Sequence, residues 1–276
     1  LRIWEVRYKM LRPKRKDSLH RVYDNEDLKH MLRVSFLYHN GWKISKIASL
    51  DPANVEEEVR KVTMVTDVPS TFINQLLEAA VDFDEYKFTK ILNSIIASIG
   101  FEKTMTEVCY PYLTKLGHLW STNNVIPAQE HFSSYMVQNR VISETEQLAV
   151  KGKKPEIILL CPQGEYHELP LLFINYLLKK NGWGTLYLGA SVSLKELSEV
   201  VAIPGIRYIY IHLITNFTGF ELQELMERIC TSYRDKEIIA SGNGFRLLQR
   251  SFTNLTVLLN DAAIYSFVRR DHLGST

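Results

Sequence analysis

The alternation of strand and helix signals in the last 120 or so residues restricts the fold more than any other feature. Runs typical of strands occur at 156–161, 184–188, 207–213, 237–240 and 255–258, and stretches with helical periodicity separate them. Strands that alternate with helices predict a parallel sheet covered on both faces. Residues 153–276 are therefore expected to form a flavodoxin-like or Rossmann-type doubly wound domain. Any ligand should bind at the carboxyl ends of its strands.

Residues 71–152 have a helical pattern almost throughout. Apolar residues between positions 88 and 99 recur at spacings of three and four, which is typical of one buried helix face. Further helices are expected at 71–82, 101–119 and 128–150, and Pro127 suits the first turn of the last one. Four helices with short connections predict a four-helix bundle.

Charge is distributed unevenly along the 276 residues. The first 50 residues contain 12 Lys or Arg against 5 Asp or Glu, a net charge of +7, whereas the whole chain has a net charge of only +2. The remaining residues therefore carry −5. A basic segment joined to an acidic body predicts a head that binds a polyanion, although a solvated basic face is the alternative.

The order of residues in this head favours DNA as the polyanion. Residues 1–8 predict a short helix from which Arg2 and Arg7 project, and Pro13 then stops the helix within a basic, two-stranded loop. Asp24 can cap a following helix that ends near residues 40–41, and a short helix is expected at 45–50. A helix beside a basic hairpin can enter the major groove while the hairpin contacts phosphates.

Four sequence segments of the head resemble one known family. LRIWEVRY at 1–8, LRPKR at 11–15, RVY at 21–23 and GWKISKI at 41–47 are similar to the winged helix-turn-helix of MerR-type transcription regulators. The resemblance covers about the first fifty residues and implies that residues 1–55 are a partial winged helix-turn-helix that begins inside its recognition helix. Its partner would be double-stranded DNA. The DNA-contacting residues implied by the resemblance are Arg2, Arg7, Tyr8, Arg12, Lys14, Arg15, Arg21 and Tyr23.

For the aromatic residues of this set, Tyr8 and Tyr23, membership of a small hydrophobic core is the alternative. Residues 56–70, which are rich in Glu and Val and closed by Pro69 and Ser70, are expected to form a partly helical linker with a hinge.

The helical region contains a tryptophan followed, after nine residues, by an adjacent Glu-His pair. Trp120 should close one helix while Glu130 and His131 open the next, so all three are expected at one end of the bundle. A capped helix with a core tryptophan is the alternative. The spacing resembles the helical cap of CarH-like light-sensing repressors, where tryptophan covers the upper face of adenosylcobalamin. Ser121 stands where those proteins carry a histidine that ligates cobalt after illumination, so that ligand is absent here.

The loop PQGEYHELP at 162–170 follows the first strand of the α/β domain. His167 could offer one imidazole nitrogen to a metal while Glu165 accepts a hydrogen bond from the other nitrogen. The alternative is that His167 has no such role, as is usual for an isolated histidine in a loop. The segment resembles the D-x-H-x-x-G signature of base-off cobalamin-binding domains. The resemblance implies Glu165 in place of Asp and His167 as the lower axial ligand of cobalt.

Two further parts of that signature have counterparts at the ends of later strands. The S-x-V/L element falls on 212–214, beginning with His212, and the G-G element falls on Ser241 and Gly242. Pro170, His212 and Ser241 replace residues that, by the resemblance, line the channel for the nucleotide tail of the cofactor. Because backbone must approach a ligand closely where glycine is used, bulkier residues alter that channel.

These observations predict a DNA-binding transcriptional regulator, not an enzyme. Its helical cap and α/β domain would sense a ligand, for which adenosylcobalamin is the candidate, and would thereby control assembly into a dimer or tetramer and binding to an operator. A MerR-type regulator with another small ligand or none is the first alternative, and a corrinoid-carrying methyltransferase subunit is the second. The sequence contains no P-loop, dinucleotide fingerprint or recognisable nucleophile–base pair.

The cellular compartment is predicted from cysteine usage and hydropathy. Cys109, Cys161 and Cys230 lie far apart without a C-x-x-C pair, so neither a disulfide framework nor a cysteine zinc site is indicated. The most apolar stretch, at 169–178, is too short to cross a bilayer. A soluble cytoplasmic protein without a membrane partner is expected.

Overall fold

The computed structural model describes residues 8, 14–15, 21–65, 69–121, 126–148, 153–214 and 219–270. Only the backbone is described at 14–15, 21–22, 63–65, 120–121 and 219–220. The chain divides into two compact units, residues 1–137 and 138–276.

The strands are β1 (Lys14–Arg15), β2 (Arg21–Val22), β3 (Ile157–Pro162), β4 (Thr185–Val192), β5 (Tyr208–His212), β6 (Glu237–Ser241) and β7 (Leu255–Leu258). The helices are α1 (Asn25–His39), α2 (Ile44–Ile47), α3 (Pro52–Val65), α4 (Pro69–Val81), α5 (Glu85–Ile99), α6 (Phe101–Lys103), α7 (Tyr110–Ser121), α8 (Pro127–Glu146), α9 (Leu169–Lys180), α10 (Leu194–Val200), α11 (Gly219–Ser232) and α12 (Asp261–Arg269).

The head contains the predicted hairpin and the predicted capped helix. Strands β1 and β2 pair antiparallel, with Lys14 opposite Val22. Asp24 accepts a hydrogen bond from the backbone N–H of Asp27, and the Asp27 side chain accepts one from Asp24 in return, which forms a capping box at the start of α1. The helix expected for residues 1–8 lies outside the described residues except for Tyr8, which is helical.

The core of the head extends into the segment that follows it. Helix α3 begins at Pro52, and Val55 is buried together with Leu37 and Ile47. Val59 and Val62 pack against the same cluster. The expected linker, residues 56–70, is thus helical as far as Val65, and its first half contributes to the packing of the head.

Ion pairs join the head helix α1 to the first bundle helix α4 and the turn that follows it. The Arg33 guanidinium donates to both carboxylate oxygens of Glu78 at 2.9 and 3.0 Å, and a third nitrogen lies 3.0 Å from Glu56 on α3. The Arg33 and Glu78 side chains are only 14% and 13% exposed. Lys29 donates to Asp82 at 2.9 and 3.1 Å. Removal of one partner from the shielded Arg33–Glu78 pair is therefore expected to cost more stability than removal of one partner from a surface pair.

All four expected helices of the bundle region are present. The third is divided by a π-helical segment, Thr104–Cys109, between α6 and α7. Helix α8 starts at Pro127 as expected and ends at Glu146, four residues before the predicted end, where Leu148 N–H bonds back to Thr145 carbonyl oxygen. A buried polar contact from Tyr112 to Ser133, with 2.7 Å between the hydroxyl oxygens, joins α7 to α8.

The α/β domain is a five-stranded, fully parallel sheet in the order β4-β3-β5-β6-β7. Numbered within the domain this is the order 2-1-3-4-5, which is flavodoxin-like, so the predicted fold class is confirmed. Ile158 and Leu160 of β3 pack against α10 and α11 on one face of the sheet. Strand β4 is longer than expected because it continues past Gly189 through irregular register with β3.

Helices α1 to α12, as far as the structure describes them, include none that is long and apolar enough to cross a membrane.

Candidate functional site

The first strand of the α/β domain, β3, lies between β4 and β5, and the chain crosses over in opposite directions on its two sides. A crevice opens outside the carboxyl ends of strands at such a switch point. Pro162 ends β3, His212 ends β5 and Ser241 ends the next strand, β6. The residues predicted from the loop at 162–170 and from the two later strand ends therefore come together at one edge of the sheet.

Glu165 is the central residue of this edge, and its side chain is fully buried. One carboxylate oxygen, Oε1, accepts from the His167 backbone N–H at 2.9 Å and lies 2.6 Å from His167 Nδ1. The other, Oε2, accepts from the Ile214 backbone N–H at 2.9 Å. Since a carboxylate accepts, Nδ1 carries a proton, which fixes how this ring is held. The His167 side chain is 56% exposed, so the imidazole is held by a buried carboxylate while part of the ring reaches the surface.

A single imidazole limits which metal the edge can hold. Among the described residues, no group of three or more His, Cys, Asp or Glu side chains could bind a metal ion. The nearby Cys161 thiol is buried, which raises its pKa to about 12 and keeps it protonated. One donor is too few for a bare zinc ion, which takes three or four protein ligands. The edge fits an ion whose other ligands come from a macrocycle, and cobalt in a corrin ring is such an ion.

Ser191 also contributes to this edge, and the sequence reasoning missed it. Its backbone N–H donates to the Glu165 carbonyl oxygen at 3.0 Å, and its Oγ accepts from the Gly164 N–H at 3.2 Å. Ser191 has a φ of 56°, in the left-handed region. The only signal in the sequence is the short G-A-S segment at the end of a predicted strand, which does not indicate a contact to another loop.

His212 and Ser241 form a buried polar pair with Tyr210. Ser241 Oγ accepts from the Tyr210 hydroxyl at 2.9 Å and lies 2.8 Å from His212 Nδ1. Nε2 of His212 is buried without a hydrogen-bond partner among the described residues. Burial lowers the pKa of His212 to about 4, against an opposing effect of the Glu165 carboxylate, so the ring is neutral at pH 7.

Gly242 follows Ser241 with a φ of +104°. A Cβ added there would lie 2.1 Å from the Leu213 carbonyl oxygen and 3.2 Å from the His212 ring. The glycine is therefore required by the packing of the chain itself. His212 and Ser241 thus fill the ends of β5 and β6 with protein atoms, and Pro170 lies in the first turn of α9.

The residues predicted in the bundle are placed only in part. Glu130 and His131 lie in the first turn of α8, with Glu130 Oε2 3.1 Å from His131 Nδ1 and Glu130 Oε1 accepting from the Ser134 hydroxyl at 2.5 Å. The His131 side chain is 73% exposed. Trp120 and Ser121 form the end of α7, and their side chains lie outside the described residues. Their roles stay predictions.

The residues predicted to contact DNA are likewise placed by backbone only or not at all. Lys14, Arg15 and Arg21 lie on the two strands of the hairpin. Tyr8 and Tyr23 are half-buried. Arg2, Arg7 and Arg12 lie outside the described residues.

Comparisons with known proteins match both the head and the bundle. A protein-family model described as MerR HTH family regulatory protein matches residues 1–53, and one described as B12 binding domain matches residues 72–142. The HTH-type transcriptional repressor CarH of Myxococcus xanthus is 26% identical over 235 residues, which are 83% of this chain and 78% of that protein. The repressor CarA of the same organism is 26% identical over 220 residues, 75% of this chain and 71% of that protein.

Among solved structures, the monomethylamine corrinoid protein of Methanosarcina barkeri resembles 72% of this chain and 98% of its own, with a TM-score of 0.56 and 15% identity. This likeness concerns the fold alone. The predicted resemblance to MerR-type regulators with a CarH-like, cobalamin-binding-like sensor region is therefore confirmed.

Proposed function

We propose that this protein is a DNA-binding transcriptional regulator that senses cobalamin through its helical and α/β regions. The observation that carries the proposal is the loop in which fully buried Glu165 holds the half-exposed imidazole of His167 by its Nδ1. An isolated imidazole of this kind suits a metal that brings its other ligands with it, as cobalt does in a corrin ring. When bound, the cofactor would supply a cobalt ion that can take an imidazole nitrogen as a ligand.

The head supports the DNA-binding half of the proposal. Residues 1–53 match a MerR regulatory family, the first 50 residues carry a net charge of +7, and the β1–β2 hairpin carries Lys14, Arg15 and Arg21. Cations on such a hairpin would contact phosphates, and contacts of this kind fix the register of a protein on duplex DNA. The two repressors that resemble most of the chain support a regulatory role over an enzymatic one.

The sensor half is supported by the matched family and by the edge of the sheet. Residues 72–142 match a B12-binding domain, and the fold of most of the chain is that of a corrinoid protein. His167 would be the lower axial ligand, with Glu165 as its hydrogen-bond partner. Trp120, Glu130 and His131 would be the ligand-binding residues of the helical region.

Control of DNA binding would come from assembly. One head gains affinity for an operator when a second head is tethered beside it, because the second contact becomes intramolecular. A cofactor that favours a dimer or tetramer would therefore raise DNA occupancy without altering any contact between head and base pairs.

A second candidate keeps the regulator but changes the ligand. Pro170, His212 and Ser241 replace residues that, by the resemblance, line the channel for a nucleotide tail, and the buried side chains of His212 and Ser241 reduce the space there. A regulator with another small ligand, or with none, is the reading that these three residues favour. The alternative of a methyl-carrying subunit gains no support from the basic head.

Retention of adenosylcobalamin tests the proposal. The full chain is incubated with adenosylcobalamin in darkness and desalted, and the visible spectrum of the protein fraction is recorded. We expect stoichiometric colour in the wild type, little in His167→Ala, and full colour in the matched control His39→Ala at the end of α1. A colourless wild type would remove cobalamin as the ligand, and colour that survives in His167→Ala would remove the axial role.

A further inference from the structure

Three contacts from Ser191 and Ile214 hold the part of the loop at Gly164 and Glu165, next to His167. Two come from Ser191, whose N–H donates to the Glu165 carbonyl oxygen and whose Oγ accepts from the Gly164 N–H. The third is the bond from the Ile214 N–H to the Glu165 carboxylate. Ser191 therefore acts on the imidazole through one intermediate residue, because Glu165 in turn lies 2.6 Å from His167 Nδ1.

The backbone at Ser191 is bent so that both of its polar groups reach this loop. Its φ of 56° belongs to the left-handed region, which residues other than glycine and asparagine rarely adopt. Strand β4 shifts register against β3 twice around this point, and the second shift, between the pairs Leu160–Gly189 and Pro162–Val192, spans Ser191. Such irregularities redirect side chains and are frequent beside functional sites. A left-handed non-glycine residue persists where its surroundings require it.

We propose that Ser191 is a positioning residue that sets the direction in which His167 presents Nε2. The inference rests on the proposed function, because the ligand role of His167 is part of that function. Ser191 contacts the backbone at Gly164 and Glu165 and has no contact of its own with the imidazole. Its effect is to fix the carboxylate that fixes the ring.

A purely structural role at the sheet edge is the alternative, and Ser193 provides the matched control. Ser193 lies two residues further along and caps α10, where its Oγ accepts from the Glu196 N–H at 3.3 Å. Removing a cap lowers stability measurably, yet Ser193 has no bond to the His167 loop. Ser193→Ala therefore reports what a loss of stability alone does to the loop.

The first measurement uses the full chain without cofactor. Hydrogen exchange is recorded for the amides of Gly164 and Ile214, the latter because it reports whether the Glu165 carboxylate stays in place. Ser191→Ala should speed exchange at both by roughly 3- to 10-fold, the effect of one lost hydrogen bond. Ser193→Ala should leave both unchanged. Unchanged exchange at both amides in Ser191→Ala would overturn the proposal.

The second measurement reports the coordination itself. Protein labelled with ¹⁵N is loaded with reduced cob(II)alamin, whose unpaired electron couples to the axial nitrogen, so a protein imidazole gives a doublet where a ¹⁴N ligand gives a triplet. We expect the doublet in the wild type and in Ser193→Ala, and a loss of at least half of it in Ser191→Ala and Ser191→Gly. Ser191→Asn should restore part of it, because asparagine tolerates the left-handed region and supplies an acceptor oxygen.

The two measurements separate the inference from the function on which it rests. A full doublet in Ser191→Ala contradicts the positioning role. A wild type without any ¹⁵N coupling contradicts the ligand role of His167, and in that case the exchange of Gly164 and Ile214 still decides whether Ser191 holds the loop.

Discussion

Glu165 shows how a single side chain can hold a ligand histidine in one tautomer and one place. Both of its oxygens are used, one by His167 and one by the Ile214 N–H. A buried carboxylate whose two oxygens both accept hydrogen bonds is fixed in place, and it fixes the orientation of the imidazole it faces.

We expect Glu165→Gln to weaken cobalamin binding by roughly 10- to 100-fold, the usual cost of losing the hydrogen-bond partner of a metal-bound histidine. Glutamine offers one acceptor oxygen where the site uses two, and it carries no charge. Equilibrium dialysis with adenosylcobalamin in darkness measures the effect. Glu168→Gln is the matched control, since that neighbouring carboxylate accepts from the Tyr187 hydroxyl. A change in Kd of less than threefold in Glu165→Gln contradicts this role.

His212 makes stability depend on pH. Its folded-state pKa is lowered to about 4 by burial, so between that value and its ordinary value near 6.5 the unfolded chain binds more protons. The contribution of His212 to the free energy of unfolding is fully present above about pH 6.5 and is lost as the pH falls toward 4. At 1.36 kcal/mol per unit of pKa, the loss amounts to about 2–3 kcal/mol.

Urea unfolding at pH 7 and pH 4.5 checks this effect in the wild type and in His212→Gln. The variant should lose less of its free energy of unfolding on acidification, by about 2 kcal/mol. Equal losses in the two proteins would show that His212 is protonated as readily in the folded chain as in the unfolded one.

The residue scale also shows where sequence reasoning stops. Glu165 and His167 were found because their spacing is a local pattern that matches a known signature. Ser191 was missed because its contacts depend on a left-handed backbone and on an irregular strand pairing. A serine in the sequence predicts neither of these features.

At the scale of elements, the strands and most helices could be predicted because their hydrophobic periodicity is strong. All five sheet strands lie within a few residues of their expected positions. Helix α3 differs from expectation because it packs into the core of the head and is not only a linker. The helical spacing of Val55, Val59 and Val62 is visible in the sequence, but their burial against α1 depends on tertiary structure. The π-helical segment Thr104–Cys109 was missed because its apolar pattern fits an ordinary α-helix equally well.

The pairing of Arg33 with Glu78 should couple α1 to α4 energetically. We expect Arg33→Met and Glu78→Met each to lower the free energy of unfolding by about 2–4 kcal/mol, because each removes the bidentate partner of a shielded charge. The double variant should lose at least about 1 kcal/mol less than the sum of the two. Chemical denaturation of the four proteins in the cycle gives this difference.

The exposed pair Arg250 and Glu227, on the α/β domain, is the control for this cycle, since its side chains are 62% and 48% exposed. Its coupling should stay within about 0.5 kcal/mol. A coupling between Arg33 and Glu78 no larger than that of the control pair would mean that α1 is not held on α4 by charge.

At the scale of the whole molecule, the first 50 residues carry a net charge of +7 and the rest carries −5. Electrostatic attraction to DNA is therefore expected for the head and not for the sensor region. The predicted domain order follows from this charge contrast together with the change from helical to alternating patterns. The expected boundaries at residues 55, 70 and 152 stay predictions.

Arg15→Ala should weaken binding to duplex DNA of any sequence, because a phosphate contact carries no sequence information. The slope of log K against log salt should become shallower by about 0.9, the value for one phosphate. Fluorescence anisotropy with a random-sequence duplex at several salt concentrations measures it. Lys90→Ala, an exposed cation of α5, should leave the slope unchanged. A slope equal to that of the wild type would exclude Arg15 from the phosphate contacts.

The central claim is that a corrinoid held by His167 governs how firmly the basic head occupies DNA. The most direct test is a fluorescence anisotropy titration in darkness, with and without adenosylcobalamin. The full chain is added to a DNA fragment that was selected from genomic DNA by its binding to the protein. We expect the cofactor to lower the protein concentration at half-maximal DNA binding at least tenfold for the wild type and to leave that of His167→Ala unchanged. If the cofactor is shown to be bound and the wild-type curves with and without it still coincide, the central claim is contradicted.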